Sequence, residues 1–169
     1  MTVFCMKPIG VIHTPFKGPD GMPIQSSRST ALGEVEVHPE YEAGLQSVDG
    51  LSHLILIYVF HQALDQTDLL VKPFLDDQLH GVFATRFYRR PNPIGISTVR
   101  LLERHGRFLN VQSVDMLDGT PLLDIKPYVP DFDVHPVSTA CGISSPCRCS
   151  SSSASRWPRS FCAPHSTIL

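Results

Sequence analysis

Three arginines lie beside a proline-rich loop that is flanked by apolar segments. Arg86, Arg89 and Arg90 precede the run PNPIG at 91–95. Proline fixes its own φ and biases the preceding residue toward an extended backbone, so such a loop loses little entropy when it orders. Guanidinium groups offer planar forks of donors that match carboxylates and phosphates. The pattern predicts a rigid cationic loop for an anionic or carboxylate-bearing ligand, and a solvated surface turn is the alternative.

Two histidines border the most apolar run of the chain, at 51–60. His53 and His61 are eight residues apart, which places them on one face if the strand is regular. That separation is too long for adjacent metal ligands. We expect His53 to be a hydrogen-bonded core histidine, whereas His61, beside Gln62, suits either a structural role or a site.

Several common catalytic motifs are absent from the sequence. It contains no G-x-G-x-x-G loop, P-loop, G-x-S-x-G elbow or H-E-x-x-H pair. The residues at 92–95, NPIG, are superficially similar to the Asn-Pro-Pro-aromatic motif of Rossmann-type amino methyltransferases. They lack its second proline and its stacking aromatic, so this match alone carries little weight.

The charge balance argues against a general affinity for nucleic acid. Charged residues make up 18% of the 169 residues, and the formal net charge is −2. A polyanion would therefore have to meet a local patch, such as the one around Arg86, Arg89 and Arg90.

The elements that must position these residues are predicted to be short strands. The predicted strands span 3–14, with a break near Pro8 and Gly10, then 33–37, 51–60, 82–86, 94–103, 108–116 and 121–126. A short helix at 38–45 begins at Pro39, a loop is expected at 15–28, and a loop or short helix is expected at 64–79. We expect the last three strands to form a meander with a hairpin turn at Asp118-Gly119. The spacing favours a mainly β fold, an antiparallel barrel-like sheet with one or two short helices.

The chain divides by composition into one domain, 1–136, and a Ser/Cys-rich tail, 137–169. The tail is interpreted as disordered or non-native, since a shifted reading frame near 133–138 would also produce it. Its cysteines match no standard zinc spacing, so no metal site is expected. Cys5 is expected in the core. Lys7 and Pro8 interrupt the first apolar segment and the run at 51–60 is too short for a membrane span, so we expect a cytoplasmic protein.

Four blocks of the sequence, in this order, resemble the TsaA-like family, which includes the TrmO-type tRNA methyltransferases. The blocks are IGVIHTPF at 9–16, GLSHLIL at 50–56, GVFATR at 81–86 with RPNPIG at 90–95, and LDGTPLLDIKPY at 117–128. The resemblance covers roughly residues 7 to 133. The chain departs from the family at 87–89, where Phe87-Tyr88-Arg89 replaces a short polar link and adds two aromatics and a cation that suit base stacking.

The resemblance implies an S-adenosyl-L-methionine-dependent methyltransferase on a β-barrel, usually a homodimer. Characterised members methylate N6 of threonylcarbamoyladenosine at position 37 of certain tRNAs. The cofactor-binding residues it implies are Pro23, Ile24, Gln25, His61, Gln62, Arg90, Asp118, Gly119, Thr120 and Pro121. Arg86 or Arg90 suits the cofactor carboxylate. Asp118 suits its sulfonium, and His61 or Asp118 is the candidate general base.

Two further functions stay open. The same cofactor chemistry on a small acceptor is favoured by the acidic balance and the absence of a basic tail. A non-catalytic barrel that binds adenosylmethionine or another nucleotide is the third possibility, and structural roles for Gln25, Asp118-Gly119, Asp124 and Lys126 stay open as well.

Overall fold

The computed structural model describes residues 4–74 and 77–134 of the 169-residue chain. The predicted tail at 137–169 lies outside these ranges. So do the cysteines of the tail, Cys141, Cys147, Cys149 and Cys162, and its histidine His165, for which no metal site is expected. The division at 136 therefore stays a prediction.

Within the described residues the architecture is a closed antiparallel barrel, as the sequence predicted. The strands are β1 (Gly10–His13), β2 (Leu32–Val37), β3 (His53–Val59), β4 (Leu70–Val71), β5 (His80–Gly81), β6 (Ile94–His105), β7 (Phe108–Gln112) and β8 (Thr120–Pro127). Six of them close in the order β1-β2-β7-β6-β3-β8, while β4 and β5 pair separately. Closure leaves the barrel without exposed edges that could pair with another chain.

Strict alternation of side chains fills the barrel. Along β3, Leu54, Leu56 and Tyr58 are buried, and the residues between them are only partly buried. In β2, Val35 and Val37 point inward as the sequence predicted. Since successive side chains of a strand point to opposite faces, each strand gives one row to the interior and one to the surface.

Short helices connect the strands. The 3₁₀ helices span Ser26–Arg28, Pro39–Leu45, Val48–Gly50, His61–Ala63 and Val82–Ala84, and one α-helical turn, α1, spans Pro130–Asp133. The predicted helix at 38–45 thus forms as a 3₁₀ helix with Pro39 at its first position, where a missing N–H costs nothing.

Two predictions about the strands are wrong, one about a strand's existence and one about the strand order. Residues 82–86 form no strand but begin with a 3₁₀ turn, and the hydroxyl of Thr85 donates to the carbonyl of Val82 at 2.9 Å. The last three strands form no meander, because β8 lies between β1 and β3 and not beside β7. Asp118-Gly119 is therefore a turn between distant strands, with Gly119 at φ +73°, and not a hairpin.

Two other residues differ from expectation. The first strand is shorter than predicted and begins only at Gly10, so Cys5 is exposed and not in the core. His53 points out of the barrel, half-buried, with its Nδ1 3.0 Å from the hydroxyl of Ser52 and its ring against Tyr128. Inward positions of β3 belong to its even-numbered residues, which excludes His53 from the core.

Candidate active site

The strand directions gather three long connections at one end of the barrel. Neighbouring strands are antiparallel throughout, so β1, β3 and β7 end where β2, β6 and β8 begin. The connections at 14–31, 60–93 and 113–119 therefore leave the same end. The predicted site residues lie in these connections or at the start of β8: Pro23, Ile24, Gln25, His61, Gln62, Arg86, Arg90, Asp118, Gly119, Thr120 and Pro121. Their roles stay predictions.

His61 is placed against β8 at this end. Its Nδ1 lies 3.5 Å from the Oγ1 of Thr120, a long contact, while that hydroxyl donates to the carbonyl of Leu117 at 2.6 Å. Because the hydroxyl hydrogen is used there, a hydrogen bond across the 3.5 Å contact needs a hydrogen on Nδ1 of His61. In that tautomer Nε2 carries the lone pair of a proton acceptor. Its neighbour Gln62 is exposed.

The carboxylate of Asp118 already has partners. One oxygen accepts the backbone N–H of Thr14 at 2.9 Å, and the other pairs with Lys17. Lys17 first, and the Thr14 N–H second, hold the pKa of Asp118 below its usual range. Asp118 therefore fastens the connection after β1 to the turn before β8. A role toward a sulfonium would have to be shared with Lys17.

Arg90 holds its own loop together. Its Nη1 donates to the carbonyls of Val82 at 3.0 Å and Thr85 at 2.9 Å, with a longer contact to Phe87 at 3.4 Å. Its guanidinium also lies 5.8 Å from the ring centre of Phe83. These contacts explain why the segment turns into the proline loop. Arg86, in contrast, is exposed, as a ligand for a dissolved carboxylate needs to be.

Phe87, Tyr88 and Arg89, which depart from the family pattern, mainly contact one another and other residues of the 60–93 connection. The rings of Phe87 and Tyr88 stack on each other at 4.6 Å, and Tyr88 also meets Phe60 edge-on at 6.4 Å. Arg89 pairs with Asp68 at 3.2 Å, which raises the pKa of Arg89 above its ordinary value. Of these residues, Phe87 also meets the exposed ring of Phe74 at 5.9 Å.

A buried polar chain, which sequence reasoning missed, runs from the barrel interior to this end. The hydroxyl of Tyr58 lies 3.0 Å from that of Ser97, which donates to Oδ1 of Asp115 at 2.6 Å. Since Ser97 has one hydrogen and gives it to Asp115, Tyr58 must donate to Ser97. Alternation along β6 would have placed Ser97 inward between Gly95 and Val99, which was the available signal.

Desolvation controls the protonation of this chain. Burial raises the pKa of the Asp115 carboxyl, while the hydroxyl of Ser97 and the backbone N–H of Ser26 oppose the rise. Burial, followed by the nearby Asp115 charge, likewise raises the pKa of Tyr58 well above its ordinary value. Tyr58 therefore stays neutral and donates its hydrogen at physiological pH.

In the part of the chain that the structure describes, no helix is long and apolar enough to cross a membrane.

A sequence profile of the tRNA-methyltransferase O N-terminal domain matches residues 11–134. A probable S-adenosyl-L-methionine-binding protein of Pyrococcus abyssi is 57% identical over 134 residues, which are 79% of this chain and 72% of that protein. The tRNA (adenine(37)-N6)-methyltransferase of Escherichia coli is 36% identical over 150 residues, which are 83% and 64% of the two chains.

Solved structures share the architecture. A crystal structure of TrmO superposes with a TM-score of 0.70 at 38% identity, covering 81% of this chain and 62% of that one. A TrmO structure from Pseudomonas aeruginosa gives 0.68 at 36% identity, covering 81% and 61%. The chain thus spans about three fifths of the length of these solved proteins.

Proposed function

Because the chain belongs to the tRNA-methyltransferase O N-terminal domain family, matched over residues 11–134, we propose that it is an S-adenosyl-L-methionine-dependent methyltransferase that acts on tRNA. The observation that carries the proposal is this match together with the closed barrel, whose long connections meet at one end. The finer substrate we propose is N6 of threonylcarbamoyladenosine at position 37. The expected cytoplasmic location stays a prediction.

The residues at that barrel end fit the cofactor. Arg86 is an exposed guanidinium and suits a carboxylate. Residues 23–25 and 118–121 lie at the same end and are the segments we propose to contact the adenine, although the N–H groups of Asp118 and Gly119 already donate to the carbonyls of Phe16 and Ile12. Arg90 keeps the Arg86 loop in place through the carbonyls of Val82 and Thr85. These contacts support cofactor binding at this end of the barrel.

When bound, the cofactor supplies an electrophilic methyl group on a sulfonium. The acceptor nitrogen N6 would give up one proton as it is methylated, and the connections at this end of the barrel would hold the reactants in line. Rigid connections accelerate such an in-line displacement mainly by alignment. His61 is the residue we propose to accept the proton, at Nε2.

The test is direct. Calorimetry with adenosylmethionine should detect binding, and the absence of heat at millimolar cofactor would refute the methyltransferase. Incubation with labelled cofactor and tRNA that carries threonylcarbamoyladenosine should then give the N6-methylated nucleoside by mass spectrometry. Binding without transfer to this tRNA would favour the small-acceptor enzyme or the non-catalytic module.

We also propose that the protein is a homodimer. The outer face of β3 and β6 carries a run of aliphatic residues in register, with Ile57 opposite Ile96 and Val59 opposite Ile94. Ile94 and Ile96 are 39% and 54% exposed. This aliphatic face directly follows the proline loop, so a second copy seated on it would lie next to the site. Such apolar patches favour association.

A further inference from the structure

The segment before β2 is fastened to the connection between β7 and β8. The hydroxyl of Ser29 donates to the carbonyl of Val114 at 2.6 Å, and that of Ser113 donates to the carbonyl of Ser29 at 3.0 Å. The backbone N–H of Ser113 donates to Ala31 at 2.9 Å. These bonds set the path of residues 29–31. Nearer the predicted cofactor residues, at Ser26, the chain is next to Asp115.

Asp115 joins three parts of the molecule. Its carboxylate accepts the hydroxyl of Ser97 from β6. The 3₁₀ helix Ser26–Arg28 lies against β6, and the backbone N–H of Ser26 and the charge of Arg86 both favour the ionised form of Asp115. Arg86 and Ser26, which directly follows the proposed cofactor segment 23–25, are thus both near this carboxylate.

The two polar side chains that support Asp115 are buried in the barrel interior. Tyr58 and Ser97 are each 3% exposed and lie among aliphatic side chains. Burying hydroxyl groups is unfavourable unless they are hydrogen-bonded, and a phenylalanine and an alanine would fill the same space without that need. Packing alone therefore does not account for these two polar residues. Their chain of donors ends on Asp115 and orients its carboxylate.

We propose that Asp115, oriented by Ser97 and Tyr58, is a positioning residue that holds the 23–26 segment and Arg86 in the geometry that binds the cofactor. The inference rests on the proposed function for the identity of the ligand. An ionised carboxylate accepts from several donors at once, whereas an amide of the same size turns two hydrogens toward them. Asp115→Asn therefore changes the hydrogen bonding with little change in volume.

The experiment compares Asp115→Asn with Asp124→Asn, the same substitution in β8, where the carboxylate pairs with Lys126 on the surface. Adenosylmethionine binding is measured by calorimetry, and hydrogen exchange of the amides at 23–28 is measured without cofactor. We expect the Kd of Asp115→Asn to rise about tenfold, the typical cost of a lost charge-assisted bond. We also expect faster exchange at 23–28, and neither change in Asp124→Asn.

Two readouts separate positioning from a general loss of stability. The KM for the cofactor should rise while the KM for tRNA stays within about twofold. The cofactor affinity of the unchanged chain should fall as the pH is lowered and Asp115 is protonated, and this dependence should be weaker in Asp115→Asn. Arg86 and Tyr58 are the charged and titratable groups that face Asp115.

If Asp115→Asn does not fold, Ser97→Ala, which removes only the donor to Oδ1, gives the same test with a smaller expected effect. Unchanged affinity and unchanged exchange at 23–28 in a folded variant would overturn the inference. If the unchanged chain binds no adenosylmethionine, the proposed function fails. In that case the hydrogen exchange at 23–28 still shows whether Asp115 positions this segment.

Discussion

Gly95 leaves room for the ring of Tyr58. A Cβ at Gly95 would lie 2.3 Å from Cε2 of Tyr58 and 2.5 Å from its Cζ, because the two residues are opposite each other in β3 and β6. We expect Gly95→Ala to lower the free energy of unfolding by about 1–3 kcal/mol, as overpacking of a core does. Urea denaturation measures the change.

The matched control is Gly44→Ala, where nothing lies within 4 Å of the added carbon. That variant should be as stable as the unchanged chain or slightly more so. Equal stability of Gly95→Ala would show that the Tyr58 ring moves freely, and the buried polar chain would then lose its fixed geometry.

Asp118 contributes a pH-dependent stability. Its pKa is lowered by Lys17 and the Thr14 N–H, so the ionised form stabilises the fold above the ordinary carboxyl pKa, and the contribution is lost as the pH falls through the lowered value. We expect Asp118→Asn to cost about 1 kcal/mol at pH 7 and almost nothing in strong acid. Thermal unfolding across this pH range measures it. A pH-independent loss for Asp118→Asn would contradict the assignment.

Individual residues were predictable where the chemistry lies in local sequence. Arg86, Arg90 and His61 stand out by type and neighbours, and the structure places all three in connections at one barrel end. Tyr58 and Asp115 did not stand out. Tyrosine in an apolar strand looks like ordinary core, and the bond from Ser97 to Asp115 depends on how β6 meets a connection 18 residues away.

At the scale of an element, the segment 82–90 depends on the side chain of one arginine. We expect Arg90→Ala to reduce stability by about 2 kcal/mol and to weaken adenosylmethionine binding, because the carbonyls of Val82 and Thr85 lose their donor. We expect Arg86→Ala to weaken binding comparably with a smaller loss of stability, since Arg86 is exposed. Thermal unfolding and calorimetry on both variants measure the contrast.

Arg100→Ala, also exposed but in the middle of β6, is the control and should change neither quantity. Unaltered cofactor affinity in both Arg86→Ala and Arg90→Ala would show that this loop is not part of the binding site. Unaltered stability in Arg90→Ala would show that its three carbonyl contacts do not hold the loop.

Elements with strong alternation were predicted well, and elements held by side chains were not. The alternation at 33–37 and the long apolar pattern after Gly95 correspond to β2 and β6. The segment at 82–86 is apolar enough to resemble a strand, yet Arg90 donates to its carbonyls and it turns. Such a long side chain acting on a backbone leaves no periodic signal in the sequence.

At the scale of the whole molecule, strand order was the part that the sequence could not provide. Barrel closure needs β8 between β1 and β3, with Leu122 opposite both Gly10 and Tyr58. No local pattern in the sequence predicts that pairing, because a connection of the length of 113–119 can also join the two strands of a hairpin. Closure also explains how residues from 23 to 121 reach one end.

The aliphatic face of β3 and β6 predicts the association state. We expect sedimentation velocity to give a mass about twice 18.7 kDa for the unchanged chain. We expect Ile96→Lys to give the monomer, because a charge in the centre of an apolar interface is costly to desolvate. Leu102→Lys changes an aliphatic side chain of similar exposure, 47% against 54%, six residues along the same strand and should leave the dimer intact. A monomeric unchanged chain would refute the dimer. A dimeric Ile96→Lys would place the contact on another face, away from the proline loop.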